Sequence, residues 1–241
     1  MGAGCPVKAV FLDLYNTLAR IYPPREVIQA RAASPFGLQL TKEDVDAGYA
    51  LADAKMAEQS ALGPVNHLPE EERRRFFAEY EQLILKGAGH DVDLETAERI
   101  WRAVRQQEYG MALFDDALPC LDSLRTGDPP RVVGVLTNLD RTGDELAHEI
   151  GFYDHVDFTL TSEQVGEGKP NRAMFDAALR LAGARACEAV HVGDQITTDV
   201  EGALAAGLRA VLIDRYGDNP DYDACPRIAT LSELPAVIKA L

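Results

Sequence analysis

The residues whose types and spacing suit chemistry are an aspartate that ends an apolar run, Asp13, a threonine and asparagine that end another, Thr137 and Asn138, a lysine in a glycine-rich loop, Lys169, and two further aspartates, Asp194 and Asp199. A carboxylate among donors and cations can attack an electrophile carried by an anion, forming a covalent intermediate that water later breaks, and Asp13 is the candidate nucleophile. Three carboxylates in one crevice repel each other and need a cation. Hard oxygen ligands with room for water and a phosphate oxygen describe magnesium (Mg2+) better than zinc, whose histidine and cysteine ligands are missing from this set. Lys169 would offset the charge of the nucleophile and of the transition state, and Thr137 would donate to a phosphoryl oxygen. Singly each residue has an ordinary reading as a turn cap, a strand corner, a solvated lysine or a helix-terminus carboxylate. Their order, each at a strand end or in the loop beyond one, argues for a single site.

Strands must position them. Residues 7–12 are apolar without alternation, apart from Lys8, which suits a strand covered on both faces by helices, and such sheets bind ligands beyond the carboxyl ends of their strands. After residue 18 the pattern turns helical. Helices are predicted from the Pro23-Pro24 break onward, over residues 41–61 behind a capping box of Thr41 and Asp44 and a stop at Gly63-Pro64, over 69–86, and over 94–107. Beyond that, strands over 131–137, 156–160, 189–192 and 210–213 alternate with helices over 142–150, 171–182, 198–206 and 234–240, implying crossover units and a mainly parallel sheet. The fold class is α/β, a doubly wound sheet with an inserted all-helical cap: residues 1–18 and 111–241 form the core and residues 19–110 the cap.

Composition limits the partners. A net charge of −15 over 241 residues argues against nucleic acid, and an anionic substrate needs a locally positive pocket. Four scattered cysteines with neither metal-ligand nor redox-pair spacing read as free thiols in a reducing cytoplasm. No apolar segment has spanning length and no secretory leader is evident, so no membrane is expected and the location is cytoplasmic. Monomer and homodimer are equally compatible with these features. Trp101, Tyr80, Tyr109, Phe76 and Phe77 recur at helical spacing and read as packing, Arg73-Arg74-Arg75 as a solvated helix face, and His191 as a buried, hydrogen-bonded strand residue.

Residues 13–18, Thr137-Asn138, Lys169, and Gly193-Asp194 with Asp199 resemble, in that order, the four motifs of the haloacid dehalogenase-like hydrolase superfamily, in the subfamily with a helical C1-type cap after the first motif. The likeness spans almost the whole chain. It implies that Asp13, the backbone carbonyl of Tyr15 and Asp194 bind magnesium, that Asp199 supports or joins that shell, and that cap movement governs substrate entry. One position departs. Phosphatases of the superfamily carry a second aspartate two residues after the nucleophile, and this chain has Tyr15, a poor base at neutral pH. The Asp-x-Tyr form resembles 2-haloacid dehalogenases, whose halide leaves without a proton, and Arg25 is the candidate for their carboxylate- or halide-binding arginine. Tyr15, Asn138 and Arg25 make up the candidate substrate-binding set.

Against dehalogenation stands the pair Asp194 and Asp199, largely replaced in dehalogenases, which work without metal. One missing acid can be bypassed, by a leaving group of low pKa or by a substitute such as Asp140, whereas a carboxylate cluster has little purpose without a cation. The expected function is therefore a hydrolase with an aspartate nucleophile, a magnesium-dependent phosphatase acting on a small phosphorylated metabolite. The alternatives are a 2-haloacid dehalogenase, or a weakly active or inactive relative that binds a phosphorylated ligand or a partner protein.

Overall fold

The computed structural model describes residues 5–62, 65–139 and 141–241. The chain divides into two compact units, Met1–Arg20 with Met111–Leu241, and Ile21–Gly110. The first is α/β. Its strands are β1 (Ala9–Leu12), then, after a short β2 (Ala19–Tyr22) and β3 (Gly110–Leu113), β4 (Val132–Thr137), β5 (Phe158–Thr161), β6 (Ala189–Gly193), β7 (Arg209–Ile213) and β8 (Arg227–Ile228). Six of them form one parallel sheet in the order β5-β4-β1-β6-β7-β8.

β1 lies at the centre because it is apolar on both faces. Val10 and Leu12 join Val133, Val135, Val190 and Val192 in a core that also holds Leu121, Leu124, Leu146 and Ile238. Ala9 and Phe11 face the other way, onto Met174, Phe175, Ala178, Val200 and Ala203. The central strands β1 and β6 thus bury both of their side-chain sets, as a sheet flanked by helices on both faces requires. The helices that cover it include Ala117–Thr126, Gly143–Ile150, Arg172–Ala182 and Leu234–Ala240.

The second unit is helical: α1 (Arg25–Ala33), α2 (Lys42–Leu62), α3 (Glu70–Gly87) and α4 (Leu94–Arg105). The Thr41 capping box forms, with the Thr41 N–H donating to Asp44 Oδ2 at 2.9 Å and the Asp44 N–H to Thr41 Oγ1 at 3.2 Å. Helix α4 starts on Asp93, whose carboxylate accepts from the Thr96 N–H at 2.7 Å. Phe76, Tyr80 and Ile84 of α3 pack with Ala52 of α2, while Leu85 meets Ala97, Ile100, Ala32 and Ala33. Two buried polar groups interrupt this core. Gln29 of α1 donates its amide to Glu81 of α3, and Gln29 Oε1 and Glu81 Oε2 have no partner among the described residues.

Three expectations need correction. The free-thiol reading fails for two cysteines: Cys5 and Cys187 form a disulfide with Cα atoms 5.8 Å apart, and only Cys120 and Cys225 are free. The cause is topological, because β1 pairs in parallel with β6 and brings the segments that precede both strands side by side. The two-stranded sheet of β2 and β3 was not foreseen, since its residues are largely half-exposed and too few to show a period. The predicted helix over 198–206 begins earlier, as a π-helical turn over Ile196–Glu201, and continues as Gly202–Ala205. The predicted stop at Gly63-Pro64 and Asp140 lie outside the described residues.

Candidate active site

The site is built at the carboxyl ends of three adjacent strands, β4, β1 and β6. The Asp13 N–H donates to the Val192 carbonyl at 2.8 Å, extending the β1–β6 ladder by one residue and delivering the Asp13 side chain beyond the sheet. Lys169 reaches the same point from the loop after β5. Its Nζ donates to Asp13 Oδ1 and to Asp199 Oδ1, each at 2.6 Å, and all three side chains are buried.

Asp199 is held from every side. Besides Lys169, His191 Nε2 lies 3.0 Å from Asp199 Oδ1, and the Gln195 N–H donates to Oδ2 at 3.1 Å. His191 is buried inside β6, as its place in that strand implied. The carboxylate reaches back so closely that a Cβ on Gly193 would lie 2.2 Å from Asp199 Cγ, so any larger residue there must displace the carboxylate. Asp194, half-buried, accepts a side-chain hydrogen bond from Asn16. Asn16 carries a φ of +58°, a left-handed turn that asparagine tolerates better than most residues. Tyr15 precedes it and is 42% exposed.

The remaining predicted residues fall as follows. Thr137 is buried at the last position of β4. Asn138 serves Lys169: its Nδ2 donates to the Lys169 carbonyl at 2.8 Å and its Oδ1 accepts from the Lys169 N–H at 2.7 Å. That clamp aims the lysine, and it engages the asparagine side chain that the sequence suggested for substrate. Arg25 belongs to the helical unit, where it pairs with Asp46 at 3.1 Å and lies over the Tyr49 ring. Arg215 was missed. It donates to the Thr17 carbonyl at 2.7 Å and forms a bidentate pair with Asp116 at 2.9 and 3.0 Å, anchoring the turn that follows Asp13. Its sequence signal was slight, a single arginine two residues beyond a strand.

Electrostatics separate the acids. Burial pushes the Asp13 carboxyl up to about 6, against the pull of Lys169 and with help from the charge on Asp199. Burial also raises Asp194, with Asp199 adding to the effect. Burial would raise Asp199 too, but the Lys169 charge and the His191 hydrogen bond outweigh it and hold Asp199 well below the usual carboxylate range. Lys169, despite burial, is held above its ordinary value by Asp13 and Asp199. One ammonium thus faces three carboxylates, an arrangement short of positive charge.

A metal ion suits that imbalance. Asp13, Asp194 and Asp199 each offer an oxygen, and these atoms lie within 4.8 Å of one another. Both Asp199 oxygens already accept hydrogen bonds, so Asp13 and Asp194 are the better direct ligands and Asp199 the support behind them. The donor set is all oxygen, which suits a hard divalent cation. Chemically, the arrangement presents a carboxylate nucleophile beside a fixed ammonium at the mouth of a sheet.

Comparison with known proteins agrees with this geometry. The family model described as haloacid dehalogenase-like hydrolase matches residues 7–207. The ribulose-1,5-bisphosphate 5-phosphatase of Halopiger xanaduensis is 30% identical over 227 residues, covering 92% of this chain and 91% of that one. Human N-acylneuraminate-9-phosphatase is 28% identical over 250 residues, covering 98% and 95%. Among solved structures, a 2-haloacid dehalogenase from Pseudomonas syringae pv. Tomato matches with a TM-score of 0.56 and 28% identity, covering 97% of this chain and 99% of its own.

Proposed function

Because this chain belongs to the haloacid dehalogenase-like hydrolase family, its chemistry is hydrolysis, and we propose that it removes a phosphoryl group from a small phosphorylated metabolite with magnesium as cofactor. The observation that carries this reading is the retention of Asp194 beside Asp13, with Asp199 locked behind them by Lys169 and His191. Dehalogenation has no use for that much negative charge. The phosphatase names of two relatives that align along nearly their full length support the same choice.

In this reading Asp13 is the nucleophile. Lys169 occupies Oδ1, which leaves Oδ2 to attack phosphorus. The Oδ2–P bond forms as the ester P–O bond breaks, and the departing oxygen takes a proton from water. A second water then attacks phosphorus, the Oδ2–P bond breaks, and inorganic phosphate leaves with the Asp13 carboxylate restored. Magnesium, held by Asp13, Asp194 and the Tyr15 carbonyl with Asp199 in support, would neutralise phosphoryl charge when bound. Lys169 supplies fixed positive charge where the transition state spreads its own, Asn138 keeps that ammonium aimed, and Thr137 donates to a phosphoryl oxygen. Tyr15 stands where a general acid would serve, so esters with weakly basic leaving groups are the best substrates. Residues 1–18 with 111–241 are the catalytic core and residues 19–110 the cap.

Tyr15 itself favours a second reading, 2-haloacid dehalogenation. The test measures phosphate release from p-nitrophenyl phosphate with magnesium and with chelator, beside chloride release from 2-chloropropionate. Magnesium-dependent phosphate release that Asp13→Asn abolishes is the expected result. Chloride release indifferent to chelator would overturn it.

A further inference from the structure

The turn after Asp13 holds an asparagine where its backbone favours glycine. Among the described residues, seven glycines and one other residue have a positive φ, and the exception is Asn16, at +58°. Glycine adopts that conformation without steric cost, whereas a residue with a Cβ is strained in it. The side chain of Asn16 is therefore present against the preference of its own backbone.

What that side chain adds is a donor to Asp194. Lys169 donates to Asp13 and to Asp199, whereas the donors to Asp194 are the Asn16 side chain and the Asp194 N–H. Asp194 is half-buried and repelled by the charge on Asp199, so without a tether its carboxylate is free to turn toward solvent. The kind of donor matters. An ammonium or guanidinium here would cancel charge that a cation needs, whereas a neutral amide orients the carboxylate and leaves its charge and remaining lone pairs in place.

The turn that presents Asn16 is itself fixed. The Leu14 carbonyl accepts from the Leu18 and Ala19 N–H groups at 2.9 and 2.8 Å, and Arg215 holds the Thr17 carbonyl. The Asn16 N–H donates to the Ala19 carbonyl at 2.7 Å. Because the C=O and N–H of a planar trans peptide point in opposite directions, this bond aims the Tyr15 carbonyl away from Ala19. Asn16 thus sets a carbonyl through its backbone and a carboxylate through its side chain.

We propose that Asn16 is a positioning residue for the magnesium site, its amide holding Asp194 in place for the cation, and that this is what the side chain contributes beyond glycine. The inference rests on the cofactor reading above and deepens it.

Two substitutions separate the side chain from the backbone. Asn16→Gly removes the amide and relaxes the φ, while Asn16→Ala removes the amide and keeps the strain. Magnesium binding is measured by calorimetry without substrate, and circular dichroism checks folding. Losing a group that orients a metal ligand weakens metal affinity about 10- to 100-fold, so both variants should bind magnesium at least about tenfold more weakly than wild type. If the shape of the turn were all that mattered, Asn16→Gly would bind as wild type does and only Asn16→Ala would weaken. Wild-type affinity in either folded variant overturns the proposal alone. If Asn16→Ala does not fold, Asn16→Gly decides, since glycine suits that φ. No magnesium binding by the wild-type protein would overturn the cofactor reading and the proposal with it.

Discussion

Replacing Glu81 with glutamine should make the helical unit more stable, and the gain should vary with pH. Glu81 is fully buried, and its one hydrogen bond comes from the Gln29 amide. Burial, only partly offset by that hydrogen bond, pushes its carboxyl from the ordinary 4.5 up to about 8. A protonated Glu81 also answers the two orphan oxygens, because a proton on Oε2 turns it into a donor and Gln29 Oε1 is an available acceptor.

The sign follows from linkage. A carboxyl raised in the folded state makes the unfolded chain take up a proton on folding at pH values between 4.5 and about 8, so stability falls as pH rises through that window and is level above it. At about 1.4 kcal/mol per pH unit this amounts to about 3 kcal/mol at pH 7. Glutamine keeps the shape and can pair with the Gln29 amide without titrating. Glu81→Gln should therefore be about 3 kcal/mol more stable at neutral pH and nearly equal to wild type near about pH 5. Urea unfolding followed by Trp101 emission reads this unit directly, since Trp101 sits in α4. A wild-type-minus-variant difference that does not change with pH, or a less stable variant at pH 7, would refute the reasoning.

Three further perturbations test the α/β unit. Asn138→Ala removes both hydrogen bonds that aim Lys169 and should lower kcat far more than it raises KM, with a stability loss of about 1–3 kcal/mol by thermal unfolding. Gly193→Ala forces a Cβ against the Asp199 carboxylate; it should cost about 1–3 kcal/mol in urea unfolding and should weaken magnesium binding measured by calorimetry. Tyr15→Asp restores an acid two residues after the nucleophile and should raise phosphate release from alkyl phosphates more than from p-nitrophenyl phosphate, because only the alkoxide needs the proton.

What could be read from the sequence follows from which interactions are local. The run of residues 7–12 announces a central strand, because both of its side-chain sets are apolar, and a parallel sheet then carries the strand ends to one edge. That is why Asp13, Lys169 and Asp199 come together although Asp13 and Lys169 stand 156 residues apart. The Asn138 clamp was not legible, since an asparagine at a strand end says nothing about which loop folds onto it. The Cys5–Cys187 disulfide spans 182 residues and depends on strand order, which cysteine spacing does not encode. Glu81 lies among the charged residues of α3, and only the packing of α1 against that face shows it to be buried beside Gln29. Arg73 and Arg105 share their helices with Arg74 and Arg102, which pair with Glu98, so their sequence pattern is that of a solvated face.

The central claim is that Asp13 attacks phosphorus, and the most direct measurement is an acid-quenched single turnover of a labelled phosphate ester in the presence of magnesium, followed by peptide mapping. The account predicts a phosphoryl group, labile to hydroxylamine, on the peptide that carries Asp13, and none in Asp13→Asn or with chelator. Ester hydrolysis without label on that peptide would contradict it.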